Sequence, residues 1–334
     1  MRSRILLFLT GLILVPVCTY FVILFARGYR PDFTRRSLQP TGLLVLKSLP
    51  DGAQIYINSK LTSATDTTIN LTPGTYKVEI KKQGFSPWAK TLQVEAEVVT
   101  RAVATLFPSV PSFKAITTTG ATNPIFSPDG TKVVFTNLPA GRQATKAYLL
   151  DLNESPLGLI NRDVKEIAST ASAWKTPTKI DPLPTLPQTM QDILATAAAS
   201  LVWAPKENKV MYTATASAII PDELIRPLPG SSTQTQSRTI IPNGNYVYDL
   251  EEDRNFAIPA GVTWFPDSYH LLKAEKGKVT VLEYDGTNST VVYSGPMEDA
   301  FAFPYPSGKQ LLILANLSAN SKTSVPNLYA VSLR

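Results

Sequence analysis

A chain of 334 residues is long enough for two folded units, and 44% hydrophobic residues with 17% charged and 27 prolines describe a turn-rich globular protein rather than a disordered one. The net charge is +6, but Arg2, Arg4, Arg27, Arg30, Arg35 and Arg36 against Asp32 leave +5 in the first 36 residues and only +1 in the rest. A nearly neutral folded part excludes nucleic acid as a partner, and a single cysteine (Cys18) and a single histidine (His270) exclude an internal disulfide and zinc sites built from several thiols or imidazoles.

Ile5 to Ala26 is an uncharged, mostly apolar run, which as a helix rising about 1.5 Å per residue can cross a hydrocarbon core of roughly 30 Å. The run ends Leu24-Phe25-Ala26-Arg27 without a small-residue cleavage site, so an uncleaved anchor is expected. Pro16-Val17-Cys18 is not a lipobox. Four arginines after the helix and two before it favour a cytoplasmic C-terminal region by the positive-inside rule, although large C-terminal domains cross regardless of nearby charge. Residues 1–40 are read as anchor and basic juxtamembrane linker.

From 41 to about 107 a small β module is expected. Leu43, Val45 and Ile55, Ile57 alternate on either side of Pro50-Asp51-Gly52, which predicts a β-hairpin at that turn. Thr72-Pro73-Gly74 supplies a second turn before Tyr76, Val78 and Ile80, while Leu92, Val94 and Val98 fit a closing strand. Four or five short strands then form a sandwich. Tyr56, Tyr76, Phe85 and Trp88 read as core or rim aromatics rather than as a carbohydrate-stacking platform.

The elements Pro50-Asp51-Gly52-Ala53, Pro73-Gly74-Thr75-Tyr76 and Gly84-Phe85-Ser86-Pro87-Trp88 resemble those of the PEGA domain. That resemblance implies a surface-layer binding or spacer module outside the membrane. The short Gly or Asn turn usual in such sequences is replaced here by Asn58-Ser59-Lys60.

Residues 112–334 carry a recurring pattern of aromatic strand, proline turn and apolar strand. It reads Phe126-Ser127-Pro128-Asp129-Gly130, then Trp203-Ala204-Pro205, then Trp264-Phe265-Pro266-Asp267-Ser268, then Phe303-Pro304-Tyr305-Pro306-Ser307-Gly308. Each copy leads to a further strand, at 147–152, 246–250, 279–284 and 328–333. Such repetition predicts a β-propeller-like array of four or more blades, and the copies resemble the repeats of TolB-type, WD40-like propellers. Insertions are expected at about 153–198 and 214–243. The first holds an extended loop over Asp181–Pro187 and a short helix near Gln188–Ala199, and the second a polar loop over Ser231–Thr239.

The chain has no G-x-S-x-G elbow, phosphate loop or H-E-x-x-H motif. His270 reads as a surface turn residue rather than as the base of a hydrolase, and Asp129 as a turn former. Glu251-Glu252-Asp253 and Glu298-Asp299 read as solvated loops rather than calcium ligands. No catalytic, cofactor-binding or metal-ligating residue is assigned, and no cofactor is expected. The expected function is non-enzymatic binding or scaffolding outside the membrane, with an envelope protein or surface polysaccharide as partner. The alternative is an envelope-complex component whose TolB-like propeller recruits a protein.

Overall fold

The computed structural model describes residues 2–32, 37–137, 146–153, 159–162, 172, 174, 185–226, 233–317 and 325–334. It divides into two compact units, one of Met1–Lys82, Pro87–Leu106 and Pro227–Gln234, the other of Gln83–Ser86, Phe107–Arg226 and Thr235–Arg334.

The first unit opens with helix α1 (Arg2–Ala26), whose stretch Phe8–Ala26 is long and apolar enough to cross a membrane, with a mean hydropathy of 2.4. Most of its described apolar side chains, such as Phe8 and Ile13, are exposed. The expected juxtamembrane linker contains a small hairpin, β1 (Arg30–Asp32) with β2 (Ser37–Gln39); Arg35 and Arg36 lie outside the described residues. The helix exit is tied to the module behind it. Arg27 pairs with Glu97 at 2.9 Å, and the Thr41 hydroxyl donates to the Gly28 carbonyl.

Seven strands follow: β3 (Gly42–Leu49), β4 (Gln54–Ile57), β5 (Lys60–Ala64), β6 (Thr67–Leu71), β7 (Gly74–Lys81), β8 (Trp88–Val94) and β9 (Val99–Thr105). They form two sheets, ordered β6-β3-β9 and β5-β4-β7-β8, with β3 and β9 parallel. The expected sandwich is present, but the expected hairpin at Pro50-Asp51-Gly52 is not. Both edges of β3 are taken by β6 and β9 and both edges of β4 by β5 and β7, so the corner instead carries the chain from one sheet to the other. Thr65 holds that corner: its hydroxyl bonds Ser48 Oγ at 2.6 Å and accepts the Ala53 amide, while its own amide donates to the Ala53 carbonyl.

Leu44 and Leu46, rather than Leu43 and Val45, face the interior, and Ile55, Ile57, Val78, Ile80, Trp88, Leu92 and Val94 are buried with them. The single closing strand expected from Leu92, Val94 and Val98 is two strands, β8 and β9, in different sheets. Asn58 and Ser59 take φ of 48° and 67°, closing the β4–β5 turn that the sequence left without glycine.

The second unit contains β10 (Phe113–Ala115), β11 (Thr122–Phe126), β12 (Lys132–Thr136), β13 (Ala147–Asp151), β14 (Leu159–Arg162), α2 (Gln188–Ala197), β15 (Ala198–Trp203), β16 (Lys209–Ala214), β17 (Ala218–Ile219) and β18 (Thr239–Ile240). It continues through β19 (Asn245–Asp249), β20 (Arg254–Ile258), β21 (Val262–Trp264), β22 (His270–Glu275), β23 (Lys278–Glu283), β24 (Thr290–Ser294), β25 (Ala302–Pro304), β26 (Gln310–Ala315) and β27 (Asn327–Ser332).

Among the described residues these strands make four antiparallel four-stranded sheets, which we call blades 1 to 4: β11-β12-β13-β14, β15-β16-β19-β20, β21-β22-β23-β24 and β10-β27-β26-β25. The fourth is completed by a strand from the other end of the region, with Phe113 opposite Val331 and Ala115 opposite Tyr329. This first-strand closure and the repeated meander give a propeller-like array.

Blades meet through their faces. Blade 1 packs on blade 4 through Val133, Phe135, Leu312 and Leu314. Blade 4 packs on blade 3 through Leu311, Ile313, Val279 and Val281, and blade 3 on blade 2 through Leu271, Leu282, Val247 and Phe256. The other face of blade 2, with Val210, Tyr212 and Tyr246, packs on Met190 and Leu194 of α2 and on Leu186 just before it. The spacing of Met190, Leu194 and Ala197 on one side of α2 explains why this part of the insertion folds as a helix. Of the expected extended loop, Asp181–Pro184 lie outside the described residues, as do Ser231 and Ser232 of the polar loop; Thr239 begins β18.

The start of β3 permits one direct test. A Cβ at Gly42 would sit 2.2 Å from the Glu95 carbonyl oxygen and 2.6 Å from Val94. Because backbone cannot yield as a flexible side chain can, Gly42→Ala should cost about 2 kcal/mol or more, read as a lower unfolding midpoint in urea.

Candidate functional site

The recurring proline turn is one structure built four times. In each blade the residue before the proline accepts and donates in the same way. Ser127, Ala204, Phe265 and Tyr305 donate their amides to the carbonyls of Lys132, Lys209, His270 and Gln310, and accept the amides of Gly130, Glu207, Ser268 and Gly308. Those last four residues, the donors, all have positive φ, between 55° and 68°, which is why glycine recurs there. At Gly130 and Gly308 the missing side chain also admits an aromatic from the neighbouring blade, Phe303 and Phe265 respectively. The register places Pro304, not Phe303, where Phe126, Trp203 and Trp264 stand, since these four oppose Leu311, Val133, Val210 and Leu271.

The candidate acids belong to these turns. Asp129 accepts the Thr131 amide and, at 2.8 Å, its hydroxyl, and hydrogen bonds from Ser127 and Thr131 hold its carboxyl below the ordinary value. Asp267 accepts the amides of Tyr269 and His270 and faces His270 Nδ1 at 2.7 Å. Burial works to raise the Asp267 carboxyl, but the hydrogen bond and charge of His270 and the two amides outweigh it and hold it low.

His270 corrects its sequence reading: it is 5% exposed rather than a surface turn residue. It is the first residue of β22, and its ring lies edge-on to Phe107 and Phe265, with centroids 5.8 and 6.1 Å away. The adjacent Ser268 hydroxyl is fully buried and accepts the Lys206 amide of blade 2. The pair therefore fastens a corner, with each neighbouring polar group already engaged.

A second cluster escaped the sequence. Lys209 occupies in blade 2 the repeat position that His270 occupies in blade 3, and it is paired with Asp249 across the sheet at 3.3 Å, both side chains 1% exposed. Its ammonium lies 4.6 Å from the Tyr284 ring and 5.0 Å from that of Tyr269. Aromatic faces supply part of the solvation that burial removes. Asp253, expected in a solvated loop, is buried: it accepts the Tyr248 hydroxyl at 2.7 Å, pairs with Arg238 and accepts the Leu224 amide. It thereby ties two points of the insertion between β16 and β19, Leu224 and Arg238, to blade 2. Burial, then the charge and hydrogen bond of Asp253, pushes the Tyr248 hydroxyl well above its ordinary value.

Lys209, Asp249, Asp253 and His270 are buried, while Asp129 is exposed and Asp267 partly so, and the hydrogen bonds and ion pairs of all six hold blade turns and corners. Among the described residues there is no group of three or more His, Cys, Asp or Glu side chains placed to hold a metal ion. Of the module's aromatics, Trp88 is buried at 2%, while Tyr56, Tyr76 and Phe85 are half-buried.

Removing one member of the buried pair leaves the other charge uncompensated. Lys209→Met should cost about 3 kcal/mol, measured by urea unfolding. Asp267 has a lowered carboxyl, so its contribution is present above the ordinary value of 3.8 and is lost as pH falls through its folded value. The unfolding midpoints of the wild type and Asp267→Asn should therefore differ most near neutral pH and converge below about pH 4.

Residues 41–109 match the model of the PEGA domain. No match to this chain is found among curated proteins. Among solved structures it is similar to the β-propeller domain of the Trilobed protease from Pyrococcus furiosus, at 11% identity, 87% of this chain, 69% of that chain and a TM-score of 0.23. It is also similar to a putative TolB from Agrobacterium tumefaciens, at 13% identity, 81% and 80% coverage and a TM-score of 0.23. For TolB from Acinetobacter baumannii the figures are 12%, 88%, 63% and 0.22. The propeller-like assignment rests on the strand order and the four equivalent turns, and the likeness to the PEGA domain is confined to the segment from 41 to 109.

Proposed function

We propose that this is a membrane-anchored, non-enzymatic protein in which α1 crosses the membrane, the PEGA domain and propeller lie on the extracytoplasmic side, and the propeller region binds an envelope protein or a surface polysaccharide. The observation that supports it best is the fate of Asp129, Asp267 and His270. These are the residues that a catalytic reading would nominate, and each is engaged in holding a blade turn. A scaffold that uses its titratable groups to fix corners presents loops and blade edges to a partner rather than a reacting atom. The tie between the helix exit and the PEGA domain, through Arg27–Glu97 and Thr41–Gly28, supports an uncleaved anchor, because cleavage behind the helix would discard half of it.

Orientation decides the reading. A full-length fusion carrying alkaline phosphatase at the C-terminus should be active in intact cells, and the matching green fluorescent protein fusion dark. The opposite pattern would place the region in the cytoplasm, as the flanking arginines favour, and would defeat the proposal.

A further inference from the structure

The two sheets of the PEGA domain present unlike outer faces. On β4 and β7 the outward residues include Gln54, Tyr56, Thr75, Lys77, Glu79 and Lys81, a polar surface in which Glu79 is held down to about 2 by Lys77 and Lys81. The face of β6-β3-β9 is different. Inward alternation of Leu44, Leu46 and Ser48 sends Leu43, Val45, Lys47 and Leu49 outward, and the parallel register sets Leu43 beside Val99, Val45 beside Arg101 and Lys47 beside Val103. Leu49, Val99 and Val103 are 42%, 41% and 57% exposed, and Lys47 and Arg101 are exposed with them. The outward positions on β6 are Thr68 and Asn70, so these strands bring aliphatic and cationic side chains to this face and no carboxylate.

This face begins where the chain leaves α1. Thr41 precedes β3 and bonds Gly28, and Glu97, two residues before Val99, pairs with Arg27 and donates its amide to the Thr41 carbonyl. We propose that the outer face of β6-β3-β9 docks on the anionic lipid headgroups of the membrane that α1 crosses. Its aliphatic side chains enter the interface, while Lys47 and Arg101 meet phosphates. A second copy fits less well, because a self-complementary contact would bring Lys47 and Arg101 against their own counterparts. The inference rests on the anchor reading of α1, and one label tests that reading separately.

The experiment uses the full chain in nanodiscs of phosphatidylcholine with or without phosphatidylglycerol, and lipid carrying a spin label at a shallow acyl position as quencher. Cys18 lies near the middle of the Phe8–Ala26 span, so with the spin label moved to a deep acyl position a dye on it reports whether α1 is inserted; if it is not quenched there, the anchor reading fails and the docking with it. In a Cys18→Ser background, a dye at Val103→Cys should be quenched about threefold or more above one at Thr75→Cys on the polar face, and only in discs containing the anionic lipid. Lys47→Glu with Arg101→Glu should reduce it to the Thr75 level. Equal quenching at the two positions would overturn the proposal, as would quenching at 103 that ignores lipid charge. Cross-linking of two chains through position 103 would overturn it in favour of a second copy.

Discussion

The pairing of β10 with β27 is the contact on which the second unit depends. Three residues at the start of the region complete a sheet made by its last strands, and the amide of Ser332 reaches the carbonyl of Ser112 while that of Ile116 reaches Leu328. Bringing together segments more than two hundred residues apart costs chain entropy that grows only slowly with length, and the neighbouring blade faces offset it. Once blade 4 is complete, Leu312 and Leu314 have blade 1 on one side and Leu311 and Ile313 have blade 3 on the other. A fourth blade lacking its outer strand would leave an open sheet edge.

Within that frame, the proline turn is a standard part whose tolerance explains the variety of its sequence. The backbone hydrogen bonds are the same in all four blades, so the side chains are free to serve blade-to-blade contacts. Glycine at 130 and 308 yields space to a neighbouring aromatic, Ser268 receives a backbone amide from blade 2, and Lys209 and His270 take the first position of their strands with quite different partners. The same position thus carries an ion pair in one blade and a carboxylate–imidazole pair in the next.

Much of this was legible in the sequence because it is periodic. The long apolar helix, the β character of both regions, the four repeats and the short helix at the end of the first insertion follow from runs, alternation and turn residues. What failed depends on which strands pair. Pro50-Asp51-Gly52 has the composition of a hairpin turn, and only the occupation of both edges of β3 and β4 shows that it links two sheets. Burial of His270, Lys209 and Asp253 was likewise hidden, because a charged residue after a turn reads as solvated until a tyrosine or a carboxylate on another strand is known to face it. The one available signal was positional: Lys132, Lys209, His270 and Gln310 align in the repeat, and three of the four can be charged.

Hydrogen exchange at the Ile116 and Ser332 amides measures closure most directly. Both donate across the junction of β10 with β27. If that junction holds the array together, these amides are protected as strongly as those of β20, whose sheet closes without a distant strand. Exchange at Ile116 and Ser332 far faster than in β20 would contradict closure through β10 and leave an open row of sheets.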